Sequence, residues 1–173
     1  FTIRANRLKT DRGALTLRLQ AEGVSAEPCS FAPDGLTITS SVSLSSLNSF
    51  REGLFSVQDE ASQLAALLLS PQPGDRLLDL CAAPGGKATY LAELTGDVCT
   101  LTACDRNPRK LALIREVVER LGIKSMTVTL IDATKPLEKL EKGLFDRILV
   151  DAPCSGLGVI HRNPEGKWWK EPS

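Results

Sequence analysis

The chain has 173 residues, of which 42% are hydrophobic, 24% charged and only 5% aromatic, the balance of a folded domain and not of a disordered or fibrous segment. Its 21 basic side chains offset 21 acidic ones, so the net charge is zero, which excludes a basic nucleic-acid clamp spread over the whole surface. The five cysteines form no CxxC pair, the single histidine has no ligand cluster near it, and the longest apolar run, Leu64 to Leu69, is far too short for a bilayer. A disulfide scaffold, a structural metal and a membrane span are excluded on that pattern, and reduced thiols in a cytoplasmic protein are expected.

Phe1, Ile3 and Ala5 alternate with polar neighbours, as in a half-buried strand. The same segment is basic: Arg4, Arg7, Lys9, Arg12 and Arg18 face one acid, Asp11. Asp11 to Glu22 reads as an amphipathic helix using Leu15, Leu17 and Leu19 and stopped by Gly23, and Gly35 to Thr39 as a short strand. The serine-rich stretch Ser40 to Ser49 reads as a plain solvated loop, dividing the chain into residues 1–50 and 51–173. Gln58 to Ser70 predicts a helix buried through Leu64, Ala65, Leu67 and Leu68 and ended by Pro71. Strands follow at Arg76 to Cys81, Cys99 to Asp105, Met126 to Asp132 and Asp146 to Ala152. Helices at Lys87 to Leu94 and Pro108 to Leu121 fall between them, the second closed by Gly122. Strands alternating with helices predict an α/β architecture with a parallel sheet covered on both faces. The chain opens on Phe1 and stops at Ser173 without a closing element, so a C-terminally truncated piece of a longer protein is expected.

In an open parallel sheet, ligands bind at the carboxyl ends of the strands. The first of these four strands runs into Cys81-Ala82-Ala83-Pro84-Gly85-Gly86-Lys87, where small residues let a ligand approach the backbone and the next helix offers unpaired N–H groups. Asp105, nineteen residues after Gly86, ends the second strand, where an acid accepts both ribose hydroxyls. Asp132 ends the third, placed to meet an adenine, and Asp151 ends the fourth, beside a reacting group. Aspartates also cap strands and helices, but here four strand ends carry functional-looking residues. A nicotinamide dehydrogenase would show Gly-x-Gly-x-x-Gly, which this turn lacks, so S-adenosylmethionine is favoured over a dinucleotide.

The segments Leu78-Asp79-Leu80-Cys81-Ala82-Ala83-Pro84-Gly85-Gly86-Lys87 and Asp151-Ala152-Pro153-Cys154-Ser155-Gly156 resemble the RNA 5-methylcytosine methyltransferases, in particular their bacterial ribosomal-RNA small-subunit branch. Phe55 to Ser62, Gly158 to Pro164 and Arg4 to Thr10 resemble the same family, so the similarity spans nearly the whole chain. It implies a class I, Rossmann-like S-adenosylmethionine-dependent methyltransferase core, with the cofactor held by Cys81, Ala82, Ala83, Pro84, Gly85, Gly86, Lys87, Asp105, Asp132 and Asp151. It also implies that residues 1–50 form a small α+β, ferredoxin-like lobe that contacts RNA, with Arg4, Arg7 and Lys9 as candidates. Arg12 and Arg18 equally suit a solvated face. The implied partner is RNA, ribosomal RNA first and transfer RNA as the alternative, and a monomer is expected.

Cytosine C5 is a poor nucleophile, and the chemical solution is covalent: a thiolate adds to C6, C5 takes the methyl group, a base removes the C5 proton and the thiolate leaves. The base must be unstacked for that attack. Asp151 is the candidate acid near N3 or N4, and Cys154 the second catalytic candidate. Pro153-Cys154 fits the nucleophile position of DNA cytosine C5-methyltransferases. The RNA family instead implies a nucleophile in a downstream Thr-Cys motif, with Cys154 assisting breakdown of the adduct, and no Thr-Cys follows Ser155. Cys81, Cys99 and Cys104 read as core thiols, Cys81 also lining the turn. In the tail, His161, Arg162, Lys167, Trp168, Trp169 and Lys170 interleave cations with aromatics, which suits RNA contact, His161 and Arg162 included. The other reading packs Trp168 and Trp169 onto further parts of the domain. Such a piece would bind cofactor without completing methyl transfer; a non-catalytic homologue that grips RNA and cofactor is the alternative.

Overall fold

The computed structural model describes residues 1–137, 140 and 144–152, which form two four-stranded sheets. In the first, β1 (Thr2–Ala5), β2 (Ala26–Pro28), β3 (Gly35–Ile38) and β4 (Phe55–Val57) pair antiparallel in the order β2-β3-β1-β4. Side chains alternate along a strand, so Ile3 and Ala5 enter a core with Leu36, Ile38 and Phe55 while Arg4 points to the opposite face. Helix α1 (Arg12–Ala21) covers that core, its first turn capped by Asp11, whose Oδ1 accepts from the Ala14 N–H at 2.9 Å. Leu15 and Leu19, one turn apart, are buried, whereas Leu17 lies on the far side of the helix and is exposed.

The first sheet runs past residue 50, because β4 supplies its last strand. Strands of three residues, such as β2 and β4, carry too little periodicity to be read from sequence. The serine stretch also differs from a plain solvated loop. It holds a short 3-10 turn at Leu44–Ser46 and leads into α2 (Asn48–Arg51), with Leu47 and Ser49 buried. The cause is Glu22, which accepts from the Ser49 N–H at 3.1 Å and from its hydroxyl at 2.6 Å.

The second sheet is parallel, with β5 (Arg76–Asp79), β6 (Thr100–Asp105), β7 (Met126–Leu130) and β8 (Arg147–Leu149) in the order β7-β6-β5-β8. Helices α4 (Gly86–Leu94) and α5 (Pro108–Leu121) connect β5 to β6 and β6 to β7. Both connections step in the same direction across the sheet, and right-handed crossovers then place both helices on one face. There Ala88, Leu91, Ala92, Leu111, Ile114 and Leu121 pack on Leu77, Leu101 and Ala103, joined by Ala66 of α3 (Glu60–Leu68). Coverage of both faces was the expectation. Among the described residues the opposite face carries no helix, only a small cluster of Leu78, Cys104 and Ile131 with Leu80, Leu140 and Phe145.

The buried side of α3 is only in part the leucine face that the sequence suggests, with Leu67 packed against the core. Leu68 is 84% exposed, and Gln63 and Ala66 are the buried residues. Gln63 turns inward because its amide donates to the carbonyls of Gln58 at 3.0 Å and Ile3 at 3.3 Å, tying the helix to the first sheet.

The seam between the two lobes is polar. Arg4 is fully buried; its Nη2 donates to Glu93 Oε1 at 2.5 Å and to Thr89 Oγ1 at 3.2 Å, and its Nη1 to the Gly86 carbonyl at 2.8 Å and to Gln58 Oε1. The Tyr90 ring lies 4.4 Å from the guanidinium. Asn6 Nδ2 bridges the carbonyls of Gly53 and Leu121 at 2.8 and 2.9 Å. At Gly53, with φ +71°, a Cβ would sit 1.9 Å from the Arg120 carbonyl oxygen, so the chain there accepts no side chain. Arg120 in turn donates to the carbonyls of Phe50 and Phe55, each at 2.9 Å, with its guanidinium 4.0 Å from the Phe50 ring.

Removing one member of a buried pair strands the other charge. Arg4→Met is expected to cost on the order of 3–5 kcal/mol in a urea unfolding titration, while Arg4→Met/Glu93→Met recovers most of the loss. A cost under about 1 kcal/mol for the single variant would show that this pair does not hold the lobes together.

Candidate functional site

The strand order reverses direction at β5: the chain continues from β5 to β6 on one side, and β8 returns on the other. A crevice therefore opens at the carboxyl ends of β5 and β8. A cleft of about 160 Å³ lies there. Its walls come from the turn after β5 (Cys81, Ala82, Ala83, Pro84, Gly86, Lys87), from Asp79, from Asp151 beyond β8, and from Val57, Gln58, Asp59 and Ser62 at the junction of the lobes.

The turn is held by backbone hydrogen bonds, one to β6 and one within itself. Ala82 N–H donates to the Cys104 carbonyl at 2.8 Å, and Gly85 N–H to the Ala82 carbonyl at 2.7 Å. Gly85 precedes α4 with φ +111°, a left-handed conformation that side chains other than glycine's disfavour. No side chain caps α4, so its first N–H groups face the crevice with the positive end of the helix dipole. Lys87 reaches across to Asp151, Nζ to Oδ2 at 2.6 Å, and fixes the side chain beyond β8 against the turn after β5.

Asp79 is a site residue that the sequence reading quoted in its motif but did not single out. It is 1% exposed, and its Oδ1 accepts from the Cys81 N–H at 3.2 Å. Burial pushes its carboxyl up to about 7; the Cys81 N–H and Lys87 pull down, and the charges of Asp151 and Asp105 add to the rise. The signal was an acid inside the apolar run Leu77-Leu78-Asp79-Leu80, where an unpaired charge has no structural reason to sit. Burial, then the nearby acids, also pushes the Cys81 thiol up, so Cys81 is a neutral lining group and not a thiolate.

Of the residues expected to form the site, Cys81, Ala82, Ala83, Pro84, Gly86, Lys87 and Asp151 line the one cleft, and Gly85 shapes it. Asp105 and Asp132 stand on the same carboxyl edge but outside the cleft wall. Asp105 Oδ1 accepts from the Asn107 N–H at 2.8 Å. Asp132 accepts from the Thr134 hydroxyl at 2.7 Å and its N–H at 3.1 Å, which hold its carboxyl below the usual range. Cys154, His161 and Arg162 lie outside the described residues, as do Trp168 and Trp169.

The basic candidates of the first lobe separate. Arg4 is corrected: the alternation of β1 aims it at α4, where it is enclosed, so it offers nothing to RNA. Lys9 is exposed but its ammonium donates to the carbonyls of Glu52 at 2.8 Å and Arg120 at 2.9 Å, a clamp across the seam. Arg7 remains at the surface, paired with Asp34 at 3.1 Å.

A parallel sheet reversing at its first strand, a glycine turn into an uncapped helix and acids at successive strand ends define a Rossmann-like methyltransferase, here preceded by a ferredoxin-like domain. The chain belongs to the 16S rRNA methyltransferase RsmB/F family, whose model matches residues 66–173; residues 1–45 match the ferredoxin-like domain of the same family. Over 171 residues it is 41% identical to the probable ribosomal RNA small subunit methyltransferase B of Bacillus subtilis (strain 168), covering 99% of this chain and 38% of that protein. The solved structure of PH0851 is similar at a TM-score of 0.93 and 35% identity, over 99% of this chain and 39% of that one. A methyltransferase homologue from Pyrococcus horikoshii follows at a TM-score of 0.83 and 33% identity, over 93% and 52%. The chain thus spans well under half the length of the curated relative it matches.

The pH dependence of stability follows from Asp79. Its folded-state value, about 7, lies above the ordinary 3.8, so its contribution is present at low pH and is lost as pH rises through 7. Asp79→Asn keeps the acceptor for Cys81 and cannot ionise. It is expected to gain on the wild type by roughly 5 °C in melting temperature between pH 5 and pH 8. Parallel melting curves at all pH values would mean that Asp79 is not desolvated.

Proposed function

We propose that this chain supplies the cofactor-binding part of an S-adenosylmethionine-dependent enzyme that methylates cytosine C5 in RNA, with 16S ribosomal RNA as the substrate. The observation that carries the reading is the cleft where the strand order reverses, walled by the Cys81–Lys87 turn, the buried Asp79 and the Lys87–Asp151 pair. The residues fit a methyl donor with an amino-acid end and a nucleoside end. The uncapped start of α4 and the acid Asp79 present opposite polarity to a carboxylate and an ammonium. Asp105 stands farther along the edge with one carboxylate oxygen tied to Asn107. In this reading Asp105 takes the ribose hydroxyls and Asp132 lies toward the adenine.

The bound cofactor would supply an electrophilic methyl group. The work of this chain's residues is to bind and orient it. Asp151, 56% exposed on its side chain and steered by Lys87, is directed to N3 or N4 of the cytosine, where it stabilises the covalent adduct. Cys154 follows two residues after Ala152 and assists release of the attacking thiolate, which none of the five cysteines of this sequence provides in this reading. RNA contact in the first lobe falls to Arg7, the basic candidate there whose guanidinium stays at the surface. The relatives' names, ribosomal RNA small subunit methyltransferase B among them, support ribosomal RNA over transfer RNA.

Calorimetric titration of S-adenosylhomocysteine into the chain tests the assignment. Saturable binding is expected, weakened at least tenfold in Asp105→Ala, since two hydrogen bonds to a charged acceptor are lost. A well-folded wild type that takes up no S-adenosylhomocysteine would overturn it.

A further inference from the structure

Gln58 is 6% exposed, lines the cleft, and carries a side-chain amide with only half its hydrogen bonding met. Its Oε1 accepts from Arg4 Nη1, while its Nε2 is buried with no partner among the described residues. A buried amide N–H without an acceptor costs on the order of 1–3 kcal/mol, so the position calls for a reason.

The surroundings supply one. The Gln58 side chain packs against Gly86, the first residue of α4: a Cβ placed on Gly86 would lie 3.7 Å from Gln58 Cγ and Cδ and 3.8 Å from Nε2. The orphan donor therefore sits beside the uncapped N-terminus of α4, a nine-residue helix whose first N–H groups seek an anion. The same Arg4 Nη1 that holds Gln58 Oε1 also holds the Gly86 carbonyl. One guanidinium, reaching from the first lobe, thus fixes two neighbours of the cleft at once and commits the amide oxygen, leaving the enclosed NH₂ as the end without a partner. Asp79, on the opposite polarity, lines the same cleft.

We propose that Gln58 is a carboxylate-binding residue of this cleft, its Nε2 donating to the α-carboxylate of the bound methyl donor alongside the N-terminus of α4. This rests on the cofactor reading above and deepens it. The first lobe does more than reach toward RNA: through Arg4 and Gln58 it completes the pocket for the amino-acid end of the cofactor.

The test compares two ligands that differ only in the carboxylate, S-adenosylhomocysteine and S-adenosyl-3-thiopropylamine, by calorimetry on the wild type, Gln58→Met and Gln58→Glu. Gln58→Met is expected to bind S-adenosylhomocysteine on the order of tenfold more weakly or worse, and the decarboxylated ligand unchanged within about twofold. Gln58→Glu keeps an acceptor for Arg4, which preserves the fold, but sets like charge against the ligand. It is expected to bind S-adenosylhomocysteine more weakly than Gln58→Met does, and the decarboxylated ligand no more weakly than the wild type. Equal losses for both ligands in both variants would make Gln58 a structural residue and overturn the proposal, as would unchanged affinity throughout. A folded wild type that binds neither ligand would instead remove the cofactor reading, and this inference with it.

Discussion

A guanidinium enclosed by protein must find acceptors for its N–H groups and a counter-charge, or its desolvation outweighs everything it contributes. Arg4 meets most of that demand with groups from the other lobe: the Glu93 carboxylate, the Thr89 hydroxyl, the Gly86 carbonyl and the Tyr90 ring face. Only its Nε is left without a partner. All four of those groups belong to α4, so the contact holds one particular helix at one particular height. Burial pushes the Glu93 carboxyl up, with the Asp34 charge adding to the rise, and Arg4 together with the Arg7 N–H, at 3.3 Å, opposes it. Everything that α4 offers the cleft, from its uncapped N-terminus to Lys87, inherits its position from that contact.

The cleft itself is dominated by acids. Asp79 and Asp151 line it and Asp105 stands just outside its wall; their charges push Cys81 up against the pull of Arg106, while Lys87 pulls Asp79 down. The consequence for Cys81 is a thiol kept protonated in the middle of the turn that walls the cleft. An acidic crevice also favours a ligand with positive charge, as an ammonium or a sulfonium carries, over a pyrophosphate.

The parallel sheet and its helices were legible because each carries strong local signals. Asn107 with Pro108 at the start of α5 and Gly122, at φ +80°, at its end bracket that helix without ambiguity. The turn Cys81–Lys87 was equally plain, since glycine, proline and small residues together admit few other uses. What stayed hidden depends on partners far along the chain. Nothing in the neighbourhood of Arg4 says that it is buried, because Glu93 stands 89 positions away. Gln63 takes a fully buried place on α3 for the same reason, one of its acceptors being the Ile3 carbonyl of β1. Basic residues near a terminus read as a nucleic-acid surface on composition alone, and only the alternation of β1 combined with the position of α4 separates Arg4 from Arg7.

The order of synthesis gives the seam a further meaning. Domains form from the N-terminal end as the chain emerges. The first sheet can pair all its strands once Val57 is out, and its core of Ile3, Leu15, Leu19, Leu36 and Phe55 can close then. Its other face cannot. Arg4 stays wet until α4 has been made and folded, so the nascent lobe leaves the ribosome with one side finished and the other held open by a charge. That charge keeps the unfinished face hydrated and discourages it from sticking to other chains until its own partner arrives.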